Sequence, residues 1–157
     1  MERVLNGRVL GNIDGLKVSL IWNCPSPEKV ISLAMRRCYS TKTIEELDAE
    51  LDQKGTEYMK YLLRRALEDK ALDVFEHFRL EFLVEGVDEA FVNSILVSYP
   101  FAHWLRIKNS DWLLAINART LIEMWRDQEK KPFASILINE LKETHASDLF
   151  NSVIFNE

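Results

Sequence analysis

The sequence predicts an α+β fold, a small sheet packed with several helices. Three observations carry this. The stretch from His77 to Glu85 alternates apolar and polar residues at the two-residue period of a strand. Most of the remaining apolar residues recur at the three-to-four spacing of helices. The chain is 157 residues long and 47% hydrophobic, with no internal repeat and no linker-like tract, which fits one domain over 1–157 with a continuous core.

The first 22 residues read as β structure. Val9 and Leu10 precede a turn at Asn12-Ile13-Asp14-Gly15, and Leu16 to Trp22 follows as a strand. Ser26 and Pro27 then suit the N-cap and first position of a helix with Val30, Ile31, Ala34, Met35 and Cys38 on its apolar stripe. Thr43 and Glu46 form a capping-box pattern opening a second helix, which Gly55 breaks. A third runs from about Thr56 to Asp69. Phe78, Leu80, Phe82 and Val84 form the inward side of the clearest strand, with His77, Arg79 and Glu81 outward and Glu76 opposite them. Asp88 caps the next helix, and Tyr99-Pro100 stops it. His103 and Trp104 fall in a loop, where they could stack on a ligand or pack locally. Ser110-Asp111 begins a long helix to about Trp125, and Pro132 opens another. Ser147 to Phe155 forms a last short helix or lies against the core.

Charge narrows the partners. Twenty Lys and Arg against 25 Asp and Glu give a net of −5, which disfavours a general nucleic-acid binder. No apolar run reaches the roughly 20 residues needed to cross a bilayer. The N-terminal residues lack the pattern of a secretory signal, so a cytoplasmic location is expected. Cys24 and Cys38 read as reduced thiols, Cys38 as a small core residue. With only His77, His103 and His145 available, no metal site is expected.

Three positions could carry chemistry. His77, Arg79 and Glu81 project from one strand face, where they could orient a phosphate or ring edge, or form an ordinary solvated surface. Asn117 falls within an apolar helical arc with Leu113, Leu114, Leu121, Met124 and Trp125, and its amide must find partners there, either a ligand or neighbouring backbone. Arg119 and Arg126 share the opposite face with Glu123 between them. No phosphate loop or nucleophile elbow occurs.

Four blocks in order resemble the flavin-dependent thymidylate synthases. Ala34-Met35-Arg36-Arg37-Cys38-Tyr39-Ser40 is similar to the family's AARxCYS-type helix ending, and Phe75-Glu76-His77-Phe78-Arg79-Leu80-Glu81-Phe82 to its EHxxFTF-type strand. Gly86-Val87 with Phe91-Val92 resembles the start of its next helix, and Ile116-Asn117-Ala118-Arg119-Thr120-Leu121 its NARSL-type helix segment. The resemblance implies a homotetramer in which flavin adenine dinucleotide (FAD) lies between subunits. Deoxyuridine monophosphate (dUMP) stacks near the flavin and is methylated from methylenetetrahydrofolate, with a reduced nicotinamide cofactor as hydride source. His77, Asn117 and Arg119 take the places of cofactor-contacting residues, and Arg126 is the candidate for the substrate phosphate.

The chain departs from this pattern where anions are gripped. Ser98-Tyr99-Pro100 stands where the family's Arg-His-Arg signature belongs, and Gln128 where a nucleotide-site arginine is expected. Three readings follow. One is a divergent member without full methylation activity that keeps a flavin or nucleotide pocket in an oligomeric module. Another is an active FAD enzyme whose phosphate site is rebuilt from Arg64, Arg65, Arg79, Arg106 and Lys108. The third is a structural subunit without ligand.

Overall fold

The computed structural model describes residues 15–155, together with the backbone of two short strands, β1 (Arg3–Leu5) and β2 (Arg8–Leu10), which pair antiparallel. The turn expected at Asn12 to Asp14 lies outside the described residues. After them come β3 (Lys17–Asn23), α1 (Pro27–Arg37), α2 (Ile44–Glu68) and a 3-10 turn (Leu72–His77). The order continues with β4 (Arg79–Glu85), α3 (Glu89–Ser98), β5 (His103–Lys108) and β6 (Asp111–Asn117). Three helices close the chain: α4 (Ala118–Arg126), α5 (Lys131–Glu143) and α6 (Asp148–Ile154). The fold is α+β, as the alternation in β4 and the helical periodicities predict.

Strands β3 to β6 form one antiparallel sheet in the order β3-β4-β6-β5. Its core face carries Leu80, Phe82 and Val84 from β4 and Trp112, Leu114 and Ile116 from β6, all buried. Helices cover this face, and the Phe78, Phe150 and Phe155 rings meet edge to face at its lower end. At the β3 edge the Leu20 N–H donates to Glu140 Oε1 of α5 at 2.8 Å, so a helix carboxylate satisfies a backbone group that an edge strand leaves open.

The first half follows local signals. The Thr43 hydroxyl accepts from the Glu46 N–H, while the Glu46 carboxylate accepts from the Thr43 N–H at 2.7 Å, completing the capping box. Gly55 interrupts α2 with φ 73°, a backbone setting that favours glycine, so the two expected helices run on through a kink. Asp88 caps α3 by accepting from the Phe91 N–H. Ser26 occupies the expected N-cap position in left-handed backbone, but its side chain makes no cap bond. Cys38 is exposed at the end of α1 rather than in the core.

Three expectations fail in the second half. The helix expected from Ser110 is a strand followed by a helix: Trp112, Leu114 and Ile116 are buried in alternation, and the helix starts only at Ala118. Leu113 and Asn117 therefore share no helical arc. His103 and Trp104 belong to β5, not to a loop. His77 ends the 3-10 turn and is exposed, because its strand begins two residues later.

Asn117 makes the strand-to-helix junction. Its Oδ1 accepts from the Thr120 N–H at 2.9 Å and from the Thr120 hydroxyl at 2.8 Å, and the residue is 4% exposed. Alongside, the Ala118 N–H donates to the Phe78 carbonyl at 2.8 Å and ties the helix start to the beginning of β4. Among the described residues no helix is long and apolar enough to cross a membrane.

Two stability predictions follow from these contacts. Glu50 on α2 receives Lys42 at 2.8 Å, Lys54 at 2.7 Å and Arg36 at 3.3 Å, and these cations pull its carboxyl from the ordinary 4.5 down to about 2. A carboxyl lowered on folding stabilises above its unfolded pKa and loses that effect as pH falls through the folded value. Glu50→Gln should therefore lower the melting midpoint at pH 7, with the difference shrinking below about pH 4.5 and gone near pH 2. At the junction, Asn117→Ala should cost about 1–2 kcal/mol in urea unfolding at pH 7, whereas Asn117→Asp, an equally good cap, keeps most of the stability.

Candidate functional site

The sheet end at which β6 turns into α4 gathers three of the four expected site residues. Asn117 lies in register with Arg79 across β4 and β6, and Arg119 stands in the first turn of α4. The 3-10 turn brings Glu76 and His77 to the same end. Arg119 joins the two elements: its Nη1 donates to Glu76 Oε1 at 2.6 Å and its Nε to Glu123 Oε1 at 2.8 Å. The Glu123 and Glu76 carboxylates raise its pKa above the ordinary arginine value. One guanidinium is thus held between two carboxylates, each about a third exposed. His77 forms no ion pair or hydrogen bond among the described residues.

Arg126 stands apart, two turns further along α4. With Trp125, Gln128 and Lys131 it lines an open cleft of about 450 Å³. Lys131 Nζ sits 5.0 Å above the centre of the Trp125 ring, a cation–π distance. Such a cleft offers the Arg126 guanidinium for an anion and the Gln128 amide for a base edge, beside a Trp125 ring that Lys131 already covers on one side.

Tyr99, where the resemblance leads one to expect part of an arginine signature, has a structural use. Tyr99 is buried, and its hydroxyl donates to Asp127 Oδ2 at 2.7 Å, fastening the end of α3 to the α4–α5 loop. Burial and the Asp127 carboxylate push this phenol well above its ordinary pKa. In the same region the Lys130 ammonium, buried, donates to the Ser94 hydroxyl at 3.0 Å.

Residue patterns single out Asn117 and Arg119 and set Glu123 on the face of Arg119, but miss Glu76 as its second partner. The four-residue spacing of Arg119 to Glu123 on one helix was a usable signal. Glu76, 43 residues away, joins it only through the tertiary fold. Among the described residues no cluster of three or more His, Cys, Asp or Glu is placed to hold a metal ion.

The five cations proposed for a rebuilt phosphate site do not converge. Arg65 is tied to Asp69 at 2.7 Å, and Arg106 reaches Glu89 at 3.4 Å while stacking on Trp112. Arg79 and Lys108 stand at opposite ends of the sheet.

Comparison with known proteins agrees with this architecture. A family model described as thymidylate synthase complementing protein matches residues 19–98, a segment that includes His77 and stops short of Asn117, Arg119 and Arg126. A flavin-dependent thymidylate synthase of Clostridium tetani (strain Massachusetts / E88) is 30% identical over 87 residues, which are 55% of this chain and 33% of that protein. The matched part thus spans about a third of the length of that curated relative. The crystal structure of the flavin-dependent thymidylate synthase ThyX from Helicobacter pylori, complexed with FAD and dUMP, superposes with a TM-score of 0.61 at 14% identity. That superposition takes in 88% of this chain and 99% of the other, a likeness of fold. With most of β3 and all of α1 through α3 inside the matched segment, the chain belongs to the thymidylate synthase complementing protein family.

Proposed function

We propose that this protein is a divergent flavin-dependent thymidylate synthase relative that has lost the full methylation of dUMP and keeps a nucleotide-binding role in a self-associated, homotetrameric module. The observation that carries this reading is the clamp on Arg119. In the resemblance Arg119 contacts the cofactor, yet here two carboxylates take up its guanidinium. A cation flanked by two acids offers a phosphate no net attraction, since the group as a whole is anionic. FAD carries two phosphates and needs several converging cations or a helix N-terminus. The described side chains around His77, Asn117 and Arg119 do not fit that demand, and Tyr99 cannot supply it. No chemical step is therefore assigned through the flavin.

The Arg126 cleft supports the part of the function that remains. Arg126 is exposed beside Trp125 and Gln128, a set suited to a single phosphate and a flat base. Arginine recognises phosphate through two parallel N–H donors, which makes Arg126 the residue expected to fix the anionic end. A nucleoside monophosphate such as dUMP is the ligand class that this cleft fits. His77 and Asn117 would line the neighbouring sheet end, Asn117 by the amide nitrogen, since both its bonds to Thr120 are accepted at Oδ1.

The purified protein should emerge colourless from gel filtration and should fail to rescue a thymidine-requiring strain. Calorimetry should detect dUMP binding that Arg126→Ala weakens about tenfold. A yellow protein that rescues growth would overturn the proposal in favour of an active enzyme. Absence of any dUMP binding would leave only the structural-subunit reading.

A further inference from the structure

One residue organises the loop between α4 and α5. Asp127 Oδ1 accepts from the Glu129 N–H at 2.9 Å, and the Asp127 carbonyl accepts from the Lys130 N–H at 3.1 Å and the Lys131 N–H at 2.7 Å. This is the side-chain turn for which aspartate is suited, and it carries the chain from one helix into the next. The other carboxylate oxygen, Oδ2, receives the Tyr99 hydroxyl at 2.7 Å. Of these bonds only that from Tyr99, 28 residues back in the chain, ties the loop to a distant element. At the far end of the loop the Lys130 ammonium reaches the same helix through Ser94.

The cleft is arranged around these ties. Arg126 and Gln128 flank Asp127, and Lys131 follows Lys130. Trp125 has packing partners of its own, the Phe155 ring edge to face at 5.4 Å and the Lys131 ammonium above it. Arg126 and Gln128 do not: among the described residues neither side chain makes a hydrogen bond or an ion pair. Their places are set by the backbone alone, and the backbone between them is that of Asp127. A guanidinium meets a phosphate with two parallel N–H donors only from a fixed distance and direction. Burial and the Asp127 carboxylate hold the Tyr99 phenol above its ordinary pKa, so it stays a donor throughout the neutral range.

The geometry points to Asp127 as the positioning residue of the Arg126 cleft, held in place from α3 by the Tyr99 hydroxyl; this rests on the nucleotide-binding reading of the cleft proposed above, and neither residue lines the cleft. A loop that is ordered before the ligand arrives spares the ligand that ordering, so loss of the tie weakens affinity without removing a contact. Asp127 also bears the charge of a phosphate, and that charge opposes binding while the positioning favours it. Asparagine separates the two effects. Its oxygen can still accept from the Glu129 N–H, and its amide nitrogen can donate to the Tyr99 oxygen with no charge involved.

Titration calorimetry of the full chain with dUMP tests the role. Tyr99→Phe should weaken binding about fivefold, and Asp127→Ala at least as much. Asp127→Asn should return to within about twofold of the wild type or bind more tightly. Because Tyr99 acts through Arg126, Y99F should add less than about twofold in an R126A background, where a general structural loss would add about fivefold again. Melting curves check that each variant is folded at the assay temperature, and the Asp127 pair carries the comparison if Tyr99→Phe does not fold. Unchanged affinity in Tyr99→Phe or in Asp127→Ala overturns the positioning role and leaves the cleft reading standing. An equal loss beside Arg126→Ala overturns it too, as does Asp127→Asn binding as weakly as Asp127→Ala. A wild type that binds no dUMP overturns the cleft reading and this role together.

Discussion

The constraint on which the rest depends is the turn from β6 into α4 at Asn117. One amide oxygen accepts two bonds from Thr120, which stops the strand and starts the helix within a single residue. The Ala118 N–H, donating to the Phe78 carbonyl, fixes that helix against the beginning of β4. Arg119 consequently emerges in the first turn of α4 beside the 3-10 turn that carries Glu76. If the helix began a turn earlier, as the apolar pattern alone suggests, Arg119 would lose this place and the sheet would lose a central strand.

The same junction explains what the sequence could and could not disclose. Elements with a local signature were legible: the Thr43 capping box, the Asp88 cap, the proline after Tyr99 and the alternation of β4. The β6–α4 segment was not, because Leu113, Leu114 and Leu121 fit a helical arc as well as they fit a strand followed by a helix. Short apolar runs are ambiguous between the two periods, and here tertiary pairing with β4 and β5 decides. Asn117 was correctly read as an amide in need of partners. The partners are a helix cap, which an apolar arc conceals because it assumes that the helix is already under way. Cys38 failed for a simpler reason: the stripe it ends runs past the last turn of α1 into solvent.

Electrostatics shapes the sheet end at which β6 turns into α4. Two unit charges 4 Å apart interact by about 1 kcal/mol in water and about 4 kcal/mol near a protein surface. The Glu76–Arg119–Glu123 group, partly exposed, lies between these limits and carries one excess negative charge. A phosphate approaching it meets repulsion from two acids against attraction to one cation. Arg65 and Arg106 are likewise held by carboxylates of their own. Arg119 is thus engaged in internal ion pairs, which join α4 to the 3-10 turn.

The fold and an anion grip are sustained by different groups. The core rests on Phe82, Leu114, Phe75 and their neighbours, and each such large apolar side chain contributes roughly 1.5–3 kcal/mol by leaving water. None of that depends on a phosphate. At Tyr99 a buried phenol bonded to Asp127 secures the packing of α3 against the loop after α4. An arginine there would meet the Asp127 carboxylate, which would compete with any anionic ligand for its guanidinium. Tyr99 thus serves the packing of the chain itself, and any side chain placed there must answer the Asp127 carboxylate first.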